Sequence, residues 1–226
     1  MKLSTFKFKN LLILLKSKLL KKKINKENNK IKNDFINYIK EKNFSEKWFL
    51  NNFNIFHYFL PSDLDKKFSY LEIGSFEGLS ALNILYHYKN AKVTTIDLWG
   101  DCNTNSEPLK VDFKEIEKKF DKNLENYNFI KIKKDSVIAL REILRTKISF
   151  DMIYIDGSHN GEDILSDAIE SYKLLSSDGL IIFDDISNYN KDITVQAYEG
   201  FQKFCEIHKN KIKIQYLGNI AIVKKI

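Results

Sequence analysis

Acidic side chains follow two apolar segments in the second half of the chain. Asp156 comes directly after Tyr154 and Ile155, and Asp184 and Asp185 come directly after Ile182 and Phe183. As neighbouring strands of one sheet, these segments would lie about 4.8 Å apart, so three carboxylates would meet at one edge. Carboxylates this close repel each other unless a cation lies between them, and oxygen ligands are typical of Mg²⁺ or a similar hard cation. Asp156, Asp184 and Asp185 are therefore candidate metal ligands. The alternative is that the Asp-Asp pair caps a loop.

A pair of glycines upstream could bring a ligand close to the backbone. Gly74 and Gly78 follow the apolar segment 71–73, with three residues between them. Glycine adopts turn conformations readily and leaves room for a ligand beside the main chain. The G-x-G-x-x-G pattern is absent from this segment, which counts against a dinucleotide with its pyrophosphate. The segment predicts a cofactor loop that opens a helix.

Polar residues after the next two apolar segments could bind a nucleoside. Asp97 lies 23 residues after Gly74, near the offset of about 20 residues expected for a carboxylate that binds ribose hydroxyls. Trp99 either stacks on a purine or packs in the core. Asp135 and Ser136 follow the third segment, where they would border an adenine ring. Asp135 could also be a helix N-cap, and the two roles are compatible.

The apolar pattern from residue 68 onward predicts the elements that position these side chains. Short apolar strands alternate with helices, which is typical of a mostly parallel sheet covered on both faces. The predicted strands are 68–73, 92–98, 129–133, 150–156 and 180–185, and the predicted helices are 78–88, 110–126, 137–147, 162–176 and 193–209. Segments 212–217 and 220–224, around Gly218 and Asn219, predict a hairpin. The fold class is thus α/β, a Rossmann-like three-layer sandwich with a mostly parallel seven-stranded sheet and a C-terminal antiparallel hairpin. In such sheets ligands bind at the carboxyl ends of the strands.

Residues 1–33 differ in charge from the rest of the chain. They contain eleven Lys and one acidic residue, Glu27, for a net charge of +10, which leaves −3 of the total +7 for the remainder. Helical spacing places five apolar residues on one face: Phe8, Leu11, Leu12, Leu15 and Leu19. We interpret the segment as a basic amphipathic tail, too short to span a membrane. It either contacts an anionic membrane surface weakly or is a solvated tail. No nucleic acid is expected as a partner, because the body of the chain is mildly acidic.

Residues 34–62 are rich in aromatic side chains, and Pro61 ends their helical pattern. They predict two short helices that form a helical cap on a catalytic domain of residues 63–226. The cap could cover a ligand cleft or belong to the core. Cys102 and Cys205 are far apart and predict free thiols, as in a reducing cytoplasm. The expected location is therefore cytoplasmic, with membrane contact at most peripheral.

Four motifs together resemble those of class I S-adenosylmethionine-dependent methyltransferases. The motifs are Leu-Glu-Ile-Gly-Ser-Phe-Glu-Gly-Leu-Ser at 71–80, Ile-Asp-Leu-Trp-Gly at 96–100, Asp-Met-Ile-Tyr-Ile-Asp-Gly-Ser-His at 151–159 and Gly-Leu-Ile-Ile-Phe-Asp-Asp at 179–185. The nearest branch is the methyltransferase 24 group with macrocin-type sugar O-methyltransferases, and catechol O-methyltransferases are more distant. The resemblance covers about residues 45–225. Its Asp-Gly-Ser-His and Asp-Asp motifs are the most specific part.

The resemblance implies a role for each motif residue. Glu72, Gly74, Ser75 and Gly78 would shape the pocket for the methionine part of S-adenosylmethionine, Asp97 would hold the ribose, and Asp135 and Ser136 would border the adenine. Asp156, Asp184 and Asp185 match metal-ligand positions, for Mg²⁺ or a similar divalent cation. His159 lies where catechol methyltransferases carry a catalytic lysine, which makes it the candidate general base beside the catalytic Asp156. The change from lysine leaves a structural role for His159 as the alternative.

The resemblance implies an enzyme that methylates a hydroxyl group of a small, sugar-like molecule. One alternative is a non-methylating relative like the cephalosporin hydroxylases, which share the motifs. Another is a non-enzymatic protein that binds a membrane surface through its basic tail.

Overall fold

A computed structural model describes residues 2–100, 112–186 and 193–226, with side chains for 11–100, 112–186 and 196–226. Its strands are β1 (Ser69–Ile73), β2 (Lys92–Asp97), β3 (Ile130–Lys133), β4 (Phe150–Ile155), β5 (Leu175–Phe183), β6 (Ile212–Leu217) and β7 (Ala221–Lys225). Its helices are α1 (Lys2–Tyr38), α2 (Phe53–Tyr58), α3 (Leu79–His87), α4 (Phe113–Leu124), α5 (Ser136–Arg145), α6 (Gly161–Leu174) and α7 (Ile193–Ile207). Two short 3₁₀ helices, Ile39–Glu41 and Trp48–Asn51, connect α1 to α2.

The described strands form one seven-stranded sheet in the order β3-β2-β1-β4-β5-β7-β6. Strands β1 to β5 are parallel to their neighbours among themselves, whereas β7 pairs antiparallel with both β5 and β6. The sequence-based prediction of a mostly parallel sheet with an antiparallel hairpin is confirmed. Strand order reverses at β1, where β2 leaves on one side and β4 on the other. Ligands of open α/β sheets bind at this kind of position.

Side chains of the central strands point alternately to the two faces of the sheet, and each face packs in its own hydrophobic core. Tyr70, Met152 and Tyr154 pack under α1 to α4 on one face, and Leu71 and Ile153 pack under α5 to α7 on the other. The buried aromatic residues of segment 49–56 belong to the first of these cores. The helical cap therefore shares the core of the sheet.

The N-terminal helix differs from the expectation of a separate tail. Helix α1 runs through residue 33 to Tyr38, so residues 34–38 continue the tail helix instead of opening a new one. Its inner face is docked, since Ser17, Ile24 and Phe35 are 3%, 0% and 0% exposed. The apolar face predicted for the tail, represented by Leu15 and Leu19, points to solvent. Within the described ranges, every helix is too short or too polar to cross a bilayer.

Two element boundaries also differ from the predicted ones. Strand β5 begins at Leu175, five residues before the predicted start, because Leu175 is buried and pairs with Phe150 ahead of an irregularity in the register. Helix α4 begins after Asp112, whose side chain caps the amides of Lys114 and Glu115. The predicted start of this helix, Lys110, lies outside the described residues, as does Cys102.

Candidate active site

The loop between β1 and α3 makes the tight turn expected of a cofactor loop. Gly74 and Gly78 have φ angles of 83° and 85°, and Phe76 between them has a φ of 47°. A Cβ atom on Gly74 would overlap the carbonyl oxygen of Asp156, the residue directly after β4. The main chain of the loop thus lies directly against the end of the neighbouring strand. Left-handed conformations at such a position are costly for other residues, so glycine is required there.

Asp97 fastens this loop to the end of β2. Its Oδ2 atom accepts a 2.8 Å hydrogen bond from the Phe76 amide, and its Oδ1 atom accepts one of 2.8 Å from the Trp99 amide. Burial raises the pKa of the Asp97 carboxyl, and the two amide donors oppose that rise. The side chain therefore has a positioning role already, at the strand end where a ribose-binding carboxylate was expected.

Trp99 packs inside the protein. Its ring is 3% exposed, lies 4.6 Å from the Phe120 ring between centroids, and has the Lys131 ammonium 4.6 Å from its own centroid. Its Nε1 atom donates to the Phe76 carbonyl oxygen at 2.9 Å. This environment favours core packing over stacking on a purine.

Glu72 is a fully buried carboxyl group beneath the same loop. Its Oε2 atom accepts a 2.7 Å hydrogen bond from the Tyr70 hydroxyl. The Ser75 and Ser80 hydroxyls lie close enough to favour its charged form, but neither makes a hydrogen bond of ordinary geometry with Oε1. Burial raises the pKa of Glu72 to about 7. Buried polar atoms are usually paired, so the free oxygen marks a place where a ligand's donor could bind.

Asp135 and Ser136 lie at the start of α5, after β3. Asp135 is exposed and accepts a hydrogen bond from the Ile138 amide at 3.1 Å, so the predicted N-cap role is confirmed. The Ser136 hydroxyl donates to Asp167 Oδ1 at 2.6 Å. Burial raises the pKa of Asp167 to about 7. Neither residue takes part in the acidic cluster described next.

The acidic residues after β4 and β5 come together, as expected for neighbouring strands. The Tyr154 hydroxyl donates to Asp184 Oδ2 and lies 3.2 Å from Asp156 Oδ2. Burial raises the pKa of Asp184 to about 7, and the charge of Asp185 adds to the rise. Burial, then the charges of Asp184 and Asp185, also raise the pKa of Asp156. The three carboxylates are thus close enough to repel one another.

Two asparagines from distant parts of the chain hold this cluster. Asn52, just before α2, donates to Asp184 Oδ1 at 2.7 Å. Asn219, in the turn between β6 and β7, donates to Asp185 Oδ1 at 3.0 Å. Across the ranges that the structure describes, no group of three or more His, Cys, Asp or Glu side chains is arranged to hold a metal ion. Protein donors occupy the oxygens of Asp184 instead.

His159 lies beside Asp185 at the acidic cluster. Its Nε2 atom lies 3.9 Å from Asp185 Oδ2 and has no hydrogen-bond partner among the described atoms. The preceding Ser158 donates to Asp163 at 2.6 Å, which ties the 157–160 loop to the first turn of α6. The free ring nitrogen could accept a proton from a neighbouring group, and the adjacent carboxylate would stabilise the resulting positive charge.

Sequence reasoning did not identify Glu77 as a functional residue. Glu77 is 1% exposed and binds the backbone amide of Ser45 at 2.7 Å, the Ser45 hydroxyl, and Lys119 Nζ at 3.0 Å. It therefore ties the segment before α2 onto the cofactor loop. The one signal in the sequence was a charged residue between the two glycines. The contacts of Tyr154 and Asn52 with Asp184 gave no signal, because these residues are 30 and 132 positions away from it.

The cofactor loop, the segment held by Glu77 and the end of β4 enclose one cleft. Its lining residues are Glu46, Trp48, Phe49, Gly74, Ser75, Phe76, Glu77, Leu79, Ser80 and Asp156. A second cleft, between Pro61, Lys66 and Asp151, opens at the opposite edge of the sheet. It contains none of the candidate residues.

Solved structures that share this fold include several methyltransferases. A candidate caffeoyl-CoA O-methyltransferase from Staphylococcus aureus is 17% identical with a TM-score of 0.57, over 94% of this chain and 100% of that one. An O-methyltransferase from Bacillus cereus, in complex with SAH, is 20% identical with a TM-score of 0.50, over 70% and 74%. The MycE methyltransferase of the mycinamycin biosynthetic pathway, in complex with Mg, SAH and mycinamycin VI, is 16% identical with a TM-score of 0.54, over 84% and 52%.

Sequence comparison extends the relationship beyond the fold. An uncharacterized protein of Acanthamoeba polyphaga mimivirus is 28% identical over 161 residues, which are 67% of this chain and 68% of the viral protein. Residues 71–186, about half of the chain, match the methyltransferase domain family known as methyltransferase 24. This range contains the cofactor loop, Asp97 and the acidic cluster. The chain therefore belongs to this family, and it is a class I S-adenosylmethionine-dependent methyltransferase.

Proposed function

We propose that the chain transfers the methyl group of S-adenosylmethionine to a hydroxyl oxygen of a small, sugar-like acceptor, with Mg²⁺ or a similar cation. The observation that carries the proposal is the contact of Gly74 with the end of β4. Through it, the cofactor loop and the Asp156–Asp184–Asp185 cluster share one edge of the sheet. A methyl donor in the loop would face an acceptor held at the cluster.

The residues around the loop suit the three parts of the donor. Gly74 and Ser75 line the cleft that would take the methionine part, and Gly78 completes the turn behind them. The Glu72 Oε1 atom could accept from a donor group of the ligand. Asp97 stands where the ribose hydroxyls would lie. Asp135 and Ser136 stand at the next strand end, on the side expected for adenine.

The acidic cluster is the part of the site that would hold a cation. Its donor set consists of oxygen atoms, which hard divalent cations prefer. Burial is the main cause of the raised pKa of Asp156, and a cation would relieve the repulsion from Asp184 and Asp185 that adds to it. The hydrogen bonds of Asn52 and Tyr154 to Asp184 would have to yield to it. A bound cation would lower the pKa of the acceptor hydroxyl and fix its direction.

Methyl transfer exchanges one bond for another. The bond from sulfur to the methyl carbon breaks with its electron pair left on sulfur, and a bond from the acceptor oxygen to that carbon forms. The proton of the hydroxyl goes to His159 Nε2, and Asp185 stabilises the imidazolium at 3.9 Å. Alignment of donor and acceptor by the loop and the cluster can lower such a barrier by about 7–11 kcal/mol.

The proposal is tested by calorimetric titration with S-adenosylmethionine and S-adenosylhomocysteine, with and without Mg²⁺. We expect micromolar binding of both. Transfer of a labelled methyl group to a panel of sugars and catechols then identifies the acceptor. Asp156→Asn and Asp184→Asn should remove stimulation by Mg²⁺ but keep cofactor binding. His159→Gln should lower turnover without changing cofactor binding or the effect of Mg²⁺.

Asp178→Asn is the matched control, because its carboxylate is exposed and pairs with Lys224 on the surface. It should behave like the wild type in every assay. Failure to bind either cofactor would contradict methyl transfer. Full turnover in both Asp156→Asn and Asp184→Asn, or in the presence of a chelator, would contradict the role of the cation.

A further inference from the structure

The outer face of α1 carries a row of exposed leucines. Leu11, Leu12, Leu15 and Leu19 are 51%, 47%, 51% and 71% exposed. Their spacing places them on one side of the helix. We call these four residues the leucine stripe.

The helix is not free to turn the leucine stripe inward. The Leu217 amide donates to the Ser17 hydroxyl at 3.0 Å, and Asn28 Nδ2 donates to the Asn54 carbonyl oxygen at 2.8 Å. Ile24 and Phe35 on the same inner face are fully buried. Because the inner face is fixed by both polar and apolar contacts, the stripe stays at the surface.

Lysines surround the leucine stripe. With about 3.6 residues per turn, Lys16 and Lys18 fall on opposite flanks of the stripe, and Lys22, Lys23 and Lys26 continue the same face beyond it. All five lysines are exposed. In residues 1–33, eleven lysines accompany one acidic residue. Leucines in the middle with cations on both sides are typical of a helix that lies in a bilayer interface.

The charge pattern favours a bilayer surface over a second copy of the chain as the partner of the leucine stripe. If two copies paired through their stripes, the lysines of one helix would face those of the other, and Glu27 is the one acid in residues 1–33 that could compensate. Anionic headgroups would instead pair with every lysine while the leucines enter the acyl boundary. A nucleic acid would not accept the central leucines.

We propose that α1 docks this enzyme on an anionic phospholipid surface through the leucine stripe and its flanking lysines. The contact of Ser17 with Leu217 sets α1 beside the turn that carries Asn219, which holds Asp185. In the docked protein α1 would therefore lie between the bilayer and this turn. The proposal is independent of which acceptor is methylated.

Co-sedimentation of the 226-residue chain with vesicles tests this proposal. We expect binding to phosphatidylcholine vesicles that contain phosphatidylserine, at least about tenfold weaker binding to phosphatidylcholine alone, and weakening by salt. Leu15→Gln with Leu19→Gln should reduce binding at least about tenfold, because glutamine keeps the helix but not the apolar contact. Lys16→Gln with Lys18→Gln should reduce both binding and its salt dependence.

The matched control is Leu64→Gln with Ile148→Gln, since both residues are 50% exposed on the body of the protein. It should bind vesicles like the wild type. All variants should keep S-adenosylhomocysteine binding, which shows that they fold. The proposal is overturned if the wild-type chain does not bind vesicles that contain phosphatidylserine. It is also overturned if the Leu15→Gln, Leu19→Gln variant binds them as tightly as the wild type. A dimer that the stripe variant dissociates would also overturn it, in favour of self-association.

Discussion

The Ser45 amide donates a 2.7 Å hydrogen bond to Glu77 Oε2 across 32 residues of sequence. Glu77 belongs to the cofactor loop, and Ser45 belongs to the segment that brings Glu46 and Trp48 to the cleft. One buried carboxylate thus joins the two walls of the cofactor cleft. Asn123 reinforces the junction by donating to the Glu77 carbonyl oxygen at 3.1 Å and accepting from the Asn43 amide at 2.9 Å.

Glu77→Gln is expected to weaken S-adenosylhomocysteine binding and to lower stability by about 1–3 kcal/mol, since it weakens hydrogen bonds to a charged acceptor. Calorimetric titration and thermal unfolding measure the two effects. The matched control is Glu115→Gln, because Glu115 pairs with Lys118 on the surface. Wild-type affinity in Glu77→Gln would show that the 43–46 segment does not shape the cleft.

Gly74→Ala is expected to abolish cofactor binding and to destabilise the fold by several kcal/mol, because its Cβ would overlap the Asp156 carbonyl oxygen. Gly157→Ala tests the specificity of this effect. A Cβ there would lie 3.5 Å from Ile73 Cγ2, an ordinary contact. Cofactor titration and unfolding of both variants decide the matter, and equal losses in both would refute the steric argument.

Asp167→Asn is expected to change how stability depends on pH. The folded pKa of Asp167, about 7, lies above its ordinary value of 3.8, so its protonated form favours folding. This contribution is complete below pH 4 and is lost as the pH rises through 7. It amounts to roughly 4 kcal/mol at most, from about 1.4 kcal/mol for each tenfold change in proton affinity.

The asparagine variant should therefore unfold at a higher temperature than the wild type at pH 8, and the difference should shrink toward pH 5. Its amide oxygen can still accept from Ser136. Thermal unfolding across this pH range provides the measurement. If the two proteins differed in unfolding temperature by the same amount at every pH, the protonation of Asp167 would not contribute to the pH dependence of stability.

Asn52→Ala is expected to lower turnover while it leaves S-adenosylhomocysteine binding within about threefold of the wild type, an energy below 1 kcal/mol. The reason is that Asn52 donates to Asp184 at the acceptor side of the edge, away from the loop. The control is Asn90→Ala, because the Asn90 amide donates to a backbone oxygen at the surface. Unchanged turnover in Asn52→Ala would show that the hydrogen bond from Asn52 is not needed to position Asp184.

The sheet could be predicted because its strands are nearly continuous apolar segments, and parallel connections permit few topologies. The meeting of Asp156 with Asp184 followed from adjacency of β4 and β5. The contacts of Asp184 with Asn52 and of Glu77 with Ser45 could not be predicted, since no local periodicity links residues 132 and 32 positions apart.

Helix α1 shows a second reason why a structure can differ from a sequence-based prediction. Two apolar faces compete in its first half, and the more continuous one, with Leu15 and Leu19, is the exposed one. The inner face was harder to recognise because it includes Ser17 and Asn28, whose polar groups find partners in the fold. Hydrophobic patterning ranks faces by composition and does not register such partners.

The position of β7 between β5 and β6 has a consequence for the order of folding. During synthesis, β5 and β6 leave the ribosome before the strand that separates them, so the edge of β5 stays unpaired until Ala221–Lys225 has been made. The hydrogen bond from Asn219 to Asp185 likewise forms only after Asn219 has been synthesised. The chain thus completes its acidic edge by one late, long-range insertion, and a nascent chain halted before Ala221 would expose β5 to association with other chains.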